Sequence, residues 1–265
     1  MGRLENKVAV VLGAATEGNM GQVIARRFTQ EGARVVVAGR HLDVLEQLAS
    51  EIGGRAIYAD ILDKEQMRAM AQHAVEAFGG LDIGVQCTGW GLLKPFLDNT
   101  TEELDEMCRL QFRGPFEFMQ VMIEHMRPGG SIIQISSATA TIMLNNHAAY
   151  MGTKAGIDHV VRCVAFEQGE RGIRANSISP GLTETPMAAP HMQTPGLTEA
   201  FLNEYPLGRI NTAEDVAAGC VWLASDECFM TGQNLHVTGG LTLRRNPTAK
   251  EIETSIAEHM NAGGG

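Results

Sequence analysis

Short apolar runs alternate with stretches whose apolar residues recur at helical spacing, and this alternation continues through most of the chain. Lys7 to Leu12 is a valine-rich run of strand length, followed by a glycine-rich turn and by Val23, Ile24 and Phe28 on one helical face. Gly32 stops that helix, and Arg34 to Ala38 is largely apolar again, as expected of a strand buried on both faces. Leu42, Leu45, Leu48 and Ile52 mark the next helix and Arg55 to Ala59 a third strand. Met67, Met70, Ala74 and Phe78 mark another helix, whose methionines read as core filler. Leu81 to Cys87 supplies a fourth strand. Thr100 and Glu103 form a capping-box pattern ahead of a long helix reaching about Met126, in which Pro115 predicts a kink or local break. A strand from Ser131 to Ser136, a helix opening at Tyr150, a strand from Ile173 to Ser179, a helix through Ala217 to Leu223 and a strand from Gln233 to Val237 follow. This alternation predicts an α/β fold: a doubly wound open parallel sheet of about seven strands with helices on both faces. Residues 1–245 read as one domain and 246–265 as a C-terminal tail.

Composition narrows the function classes. The 265 residues, 44% hydrophobic and 20% charged, suffice for one large domain with a substantial core. A net charge of −10 without any basic block argues against a nucleic-acid partner. No apolar run approaches the length of a membrane span, and the first seven residues are too short and polar for a signal sequence, so the expectation is a cytoplasmic protein with no membrane partner. Cys87, Cys108, Cys163, Cys220 and Cys228 are odd in number and lack close pairs of zinc-ligand spacing; they are expected to be buried, reduced thiols, with no metal site.

The candidate chemistry gathers at strand ends. Gly13, Ala15, Gly18, Asn19 and Met20 lie between the first strand and the first helix. Glycines let a backbone approach a pyrophosphate, and a helix N-terminus offers free N–H groups and a positive dipole end, so this segment reads as a Rossmann-like dinucleotide cradle. Its spacing departs from Gly-x-Gly-x-x-Gly, and a structural strand-to-helix turn is the competing reading. The second strand ends at Gly39 and Arg40, where a carboxylate would suit a free ribose and an arginine a 2′-phosphate. Arg40 therefore favours NADP(H). NAD(H) stays the second choice, because the glycine loop carries Glu17 and no second basic residue, and Arg40 also fits an ordinary loop arginine. Asp60, followed by Ile61, suits either an adenine contact or a helix-capping or turn aspartate. Cys87, Thr88 and Gly89 end the fourth strand, and Pro180, Gly181, Thr183 and Thr185 follow the sixth, on the edge where open parallel sheets bind ligands. Residues 186–206, with Pro186, Pro190, Pro195, Pro206 and several methionines, suit a mobile apolar flap.

If Tyr150 opens a helix, Lys154 lies one turn later on the same face. Its ammonium favours the phenolate of a group whose ordinary pKa is about 10, which makes Tyr150 a candidate general acid/base. Ser137, at the end of an apolar strand, can hold the same substrate oxygen. The pair by itself equally fits a surface tyrosine beside a solvated lysine.

Read together and in order, these segments resemble the short-chain dehydrogenase/reductases over roughly residues 5 to 245. The resemblance rests on the glycine loop, Asp60, Cys87 to Gly89 in an Asn-Ala-Gly position, Ser137, Tyr150 with Lys154, and Asn176 to Gly181. Pro206 to Arg209, Glu214 to Val216, Thr231 to Gln233 and Gly239 with Gly240 extend it. It implies that Tyr150 is the acid/base, that Lys154 lowers its pKa and holds the nicotinamide ribose, and that Ser137 positions the carbonyl. Thr183 and Thr185 would face the carboxamide and the pyrophosphate. It also implies a homotetramer, or a dimer, through helices equivalent to Thr100–Met126 and Tyr150–Gly169. Ile252, Ile256 and Met260 form a stripe on the tail suited to cap a neighbouring subunit.

Two departures stand out. Gln111 replaces the asparagine that usually supports a proton relay, and the glycine loop is two residues longer than usual, as in enoyl-carrier-protein reductases. Those reductases separate Tyr and Lys by six residues, whereas Tyr150 and Lys154 have carbonyl-reductase spacing. Trp90, Leu144, Met187 and Met192 lie on loops expected around the cleft and point to an apolar or cyclic ketone or secondary alcohol as the small-molecule substrate; each equally fits core or subunit contact. The alternatives are an enoyl-thioester reductase and, from another class, a catalytically silent dinucleotide-binding scaffold or sensor.

Overall fold

A computed structural model describes residues 2–186 and 188–262; Met187, read above as a substrate contact, lies outside them. Seven parallel strands form one sheet: β1 (Val8–Leu12), β2 (Arg34–Gly39), β3 (Arg55–Tyr58), β4 (Ile83–Gln86), β5 (Ser131–Ile135), β6 (Arg174–Pro180) and β7 (Asn234–Val237). Their order is β3-β2-β1-β4-β5-β6-β7, so the winding reverses between β1 and β4, where such sheets open a ligand crevice. Leu12 pairs with Gln86, Gln86 with Gln134, and Ile135 with Ile178. The strands thus end in step, and the segments beginning at Gly13, Cys87, Ser136 and Gly181 emerge along one edge.

The period of two in a strand sorts side chains onto two cores. Ala9 and Val11 face α1 (Met20–Gln30), α2 (Leu42–Ile52) and α9 (Ala213–Ala224). Val8, Val10 and Leu12 face the side of α3 (Lys64–Phe78), α4 (Thr101–Cys108), α5 (Gly114–His125) and α6 (Ala148–Gln168). The expected long helix is therefore three pieces. A π-helical turn, Arg109–Arg113, separates α4 from α5, and Pro115 falls in the first turn of α5, where its missing N–H costs no hydrogen bond. The break precedes the proline and contains Gln111. Helix α6 opens two residues ahead of Tyr150.

The segment read as a mobile flap contains α7 (Ala189–Met192) and α8 (Leu197–Leu202). Phe201 and Tyr205 are buried in a third cluster with Ala138, Ile210 and Leu241, so most of the segment is anchored and not loose. The tail also departs from expectation. It forms α10 (Ala249–Ala262), which packs on α8 of its own chain, with Ile252 against the third cluster and Ser255 Oγ donating to the Gly196 carbonyl at 2.7 Å. Asn246 Nδ2 donates to Met143 O at 3.1 Å and the Ala249 amide to Asn145 Oδ1 at 3.0 Å; of the stripe, Met260 is left 60% exposed. The cysteines divide as well: Cys220 and Cys228 are buried, but Cys108 and Cys163 are exposed. Among the described residues no helix is long and apolar enough to cross a membrane.

Candidate active site

The glycine loop is shaped by what it cannot hold. Gly13 has φ 103°, and a Cβ there would sit 2.8 Å from the Thr88 nitrogen; one on Gly21 would sit 2.6 Å from the Gly13 carbonyl oxygen. Asn19 caps α1, its Oδ1 accepting from the Gln22 amide at 3.0 Å and its Nδ2 donating to Gly13 O at 2.8 Å. No acidic side chain occupies the first turn of α1, so the positive end of the dipole is free for an anion. A tight turn that admits no Cβ at Gly13 or Gly21 and runs into such a helix fits a pyrophosphate. Met20 is partly buried on the core. A Cβ on Gly39 would lie 2.5 Å from the Ala15 side chain, which keeps a carboxylate off that strand end. Arg40 is exposed, and the next residue, His41, bonds through Nδ1 to the Ala15 carbonyl at 3.1 Å.

The remaining strand ends flank this cradle. Asp60 Oδ1 accepts from the Leu62 amide at 2.9 Å, which is a turn; Asp63, not Asp60, caps α3. The Ile61 side chain is buried in the core. Cys87 packs against the first core, and burial pushes its thiol up to about 12. Gln86 Nε2 donates to the Thr88 hydroxyl and carbonyl. Gly181, after Pro180, has no space for a Cβ beside the Tyr205 hydroxyl. Thr183 Oγ1 donates to Gly181 O at 2.9 Å, and Thr185 Oγ1 accepts from the Ala188 amide at 3.4 Å. An open groove of about 390 Å³ runs between Gly18 and the segment carrying Thr185 and Met192.

Lys154 is 4% exposed, its Nζ donating to Ile135 O at 2.8 Å and lying 5.6 Å from the centre of the Tyr150 ring. Burial pushes the Tyr150 phenol up to about 12; the Ser137 hydroxyl pulls it the other way and the negative charge of Asp158 adds to the rise. Burial likewise brings Lys154 down to about 8, against the pull of Asp158 and Cys87. The sequence-based expectation was that the ammonium would draw the phenol toward neutrality; burial pushes it the other way. The Ser137 hydroxyl is shared with Thr139 Oγ1 at 2.9 Å, and its carbonyl accepts from Ser179 Oγ at 3.1 Å. Gln111 is 1% exposed, with Nε2 on Met107 Sδ at 2.6 Å and Oε1 buried without a partner among the described residues. That oxygen and Lys154 Nζ flank Gly89, whose added Cβ would lie 3.2 Å from the first and 3.8 Å from the second. Trp90 and Leu144 are half-buried, and Leu144 and Met192 pack on the Phe201 cluster.

Two residues escaped the sequence reading. His147 stacks on Tyr150 with ring centres 4.3 Å apart, bonds through Nδ1 to Leu92 O at 2.8 Å, and has its pKa lowered by burial. Asp158 accepts from Ser136 Oγ at 2.8 Å, Ser177 Oγ at 2.6 Å and Asn234 Nδ2 at 2.8 Å. The available signal was helical spacing: His147 stands three residues before Tyr150 and Asp158 four after Lys154.

Similarity agrees with the geometry. A family model described as enoyl-(acyl carrier protein) reductase matches residues 13–242. The chain is 32% identical to a D-threitol dehydrogenase of Mycolicibacterium smegmatis and 34% identical to a 3beta-hydroxysteroid dehydrogenase of Eggerthella lenta; each match covers 91% of this chain and 95% of the relative. The structure of a short-chain type dehydrogenase/reductase from Mycobacterium ulcerans superposes with a TM-score of 0.87 at 29% identity, covering 92% of each chain. With this sheet order, this glycine loop and a matched span of almost the whole chain, the protein belongs to the short-chain dehydrogenase/reductase family of nicotinamide-dependent oxidoreductases.

Proposed function

We propose that the chain interconverts a ketone and a secondary alcohol, with NADP(H) as the preferred nicotinamide cofactor. The observation that carries this reading is the convergence of Ser137, Tyr150 and Lys154 at the sheet edge beside the glycine loop. Gly13, Ala15, Gly18 and Asn19 would hold the pyrophosphate, with Thr185 across the groove. Asp60 and the Ile61 backbone would border the adenine. Gly89, Pro180, Gly181 and Thr183 would border the nicotinamide, which when bound supplies or accepts the hydride. In reduction, Tyr150 gives its proton to the carbonyl oxygen while the Ser137 hydroxyl holds that oxygen. In oxidation the phenolate of the same residue takes the alcohol's proton. Burial keeps the phenol protonated, so a proton is available to give, and a charged Lys154 brought against it lowers the cost of the phenolate left behind. Gln111 Oε1, next to Lys154 and without a partner among the described residues, would accept a hydrogen bond from a water that returns the proton to that lysine. Replacing Tyr150 with Phe should leave folding and dinucleotide binding intact and reduce turnover by about 100-fold or more. Turnover close to that of the parent enzyme would remove Tyr150 from this role.

The cofactor preference rests on Arg40, on a Gly39 that excludes a carboxylate, and on His41, a second basic side chain held against Ala15. One charge-assisted bond to a 2′-phosphate is worth about 1.5–3 kcal/mol, roughly a tenfold preference or more. Arg40→Ala should therefore weaken NADPH binding far more than NADH binding, most clearly at low ionic strength. Equal losses would make Arg40 an ordinary loop residue.

Trp90, Leu144 and Met192, backed by the Phe201 cluster, support an apolar or cyclic substrate. Relatives named as a threitol dehydrogenase and a hydroxysteroid dehydrogenase support alcohol–ketone chemistry. The long glycine loop and the family model's description favour enoyl-thioester reduction as the second reading. Oxidation of NADPH by a ketone panel and an enoyl thioester, run in parallel, separates the two. We place the enzyme in the cytoplasm as a homotetramer.

A further inference from the structure

We propose that Asp158 is a positioning residue of this site: its carboxylate locks the helix bearing Tyr150 and Lys154 to the strand end bearing Ser137, and sets a negative charge one helical turn from Lys154. The inference rests on the reading of Tyr150 and Lys154 given above. Three donors from three different strand segments converge on this one side chain. Ser136 Oγ, adjacent to Ser137, reaches one carboxylate oxygen at 2.8 Å, Asn234 Nδ2 of β7 reaches the same oxygen at 2.8 Å, and Ser177 Oγ of β6 reaches the other at 2.6 Å. Four residues before it on α6 stands Lys154, and four before that Tyr150, so all three share one inward face. An aspartate with two hydroxyls and an amide aimed at it is held in one orientation, and it holds the helix in return. Moving α6 relative to β5 would break the Ser136 bond at the residue next to Ser137.

The charge matters as much as the bonds. Ser136, Ser177 and Asn234 are neutral. Burial raises the Asp158 pKa, and the Ser177 and Ser136 hydrogen bonds, with the ionisable groups that face it, Lys154 on its own helix and His236 on β7, pull it back toward the charged form. Asp158 in turn raises the pKa values of both Lys154 and Tyr150, while Cys87 at the end of β4 is the other group acting on Lys154 and His147 stacks on Tyr150. A buried ammonium whose nearby carboxylate is removed becomes easier to deprotonate. At one helical turn, roughly 6 Å, a unit charge in a partly buried setting moves a neighbour's pKa by about one unit or more.

The test uses the full chain carrying Asp158→Asn, which keeps shape and some hydrogen bonding but loses the charge. Lys154 is followed in the ligand-free protein by NMR of ¹³C-labelled lysine side chains, its signal assigned by its absence in Lys154→Met, and the pH dependence of kcat/KM is recorded beside it. We expect the Lys154 midpoint to fall by about one pH unit and the controlling limb of the kinetic profile to move to lower pH with it. Asp158→Glu should restore both midpoints toward those of the parent chain even where it lowers the rate. A folded Asp158→Asn in which Lys154 titrates as before overturns the proposal. Asp158→Ser serves if the asparagine variant does not fold. Failure of both neutral variants to fold would give the carboxylate to sheet stability alone and equally overturn it. A shift of Lys154 without any shift of the kinetic profile supports the charge assignment and counts instead against Lys154 and Tyr150 as the reacting pair.

Discussion

Gln111 carries a cost that packing does not explain. Its Nε2 rests on a thioether, a weak acceptor, and its Oε1 is buried with no partner among the described residues, a condition that costs about 1–3 kcal/mol. The π-helical turn that holds it is a rare form found frequently at functional positions. Gln111→Leu keeps the volume and removes the unsatisfied amide, so it should melt at or above the parent temperature while turning over at least about tenfold more slowly. Calorimetry and steady-state rates read the two effects separately; a less stable variant with full turnover would make the glutamine a core residue only. Tyr150 shows the limit of residue-scale reading from the other side. Its spacing to Lys154 was legible because helical geometry places the fourth residue on, but the sign of its shift was not. Spacing identifies a neighbour, whereas the dominant effect at Tyr150 is desolvation, which is known only once the sheet edge and α6 have closed around it.

At the scale of elements, the strands were legible to within a residue or two because apolar runs bounded by glycines admit few alternatives. The element boundaries that went unread are those set by tertiary contacts. No local signal announced the π turn at Arg109–Arg113, and Pro115 suggested a break one step later than the one observed. The tail misled for a similar reason. A stripe of Ile252, Ile256 and Met260 states that a helix has an apolar face but not whose surface it covers, and here α8 of the same chain takes the first part of it. Helix α10 therefore buttresses the wall formed by Leu144, Met192 and Phe201. Ile252→Asp, which sets a carboxylate on that wall, should raise the KM for an apolar ketone about fivefold or more and leave nicotinamide affinity within about twofold. An unchanged KM in a folded variant would detach α10 from the substrate side of the cleft.

The whole molecule presents apolar surface that its own fold does not cover. Phe166 on α6 is 90% exposed, Phe116 on α5 is 41% exposed, and Phe112 in the π turn is 38% exposed with its ring lying against Gly156. The neighbouring surface of α6 includes Gly152 and Ala155, both exposed, and an added Cβ on Gly152 would meet nothing within 4 Å, so another helix can approach closely. These helices are the pair through which the proposed tetramer would form. Opposing it is the net charge of −10 on every copy, a repulsion that salt screens beyond about 8 Å at physiological ionic strength. Apolar burial at the helix faces persists at that salt, so assembly should tighten as salt rises from low to moderate levels. Sedimentation at micromolar concentration should show a tetramer at 0.15 M salt, and Phe166→Asp combined with Phe116→Asp should shift it to smaller species by placing charge where apolar area was to be buried. Because Ser137, Tyr150 and Lys154 all come from one chain, the dissociated variant should keep its site and lose thermal stability before it loses turnover per chain. A parent protein that sediments as a monomer, or a double variant that assembles as the parent does, would leave these phenylalanines as solvent-facing residues and remove the tetramer.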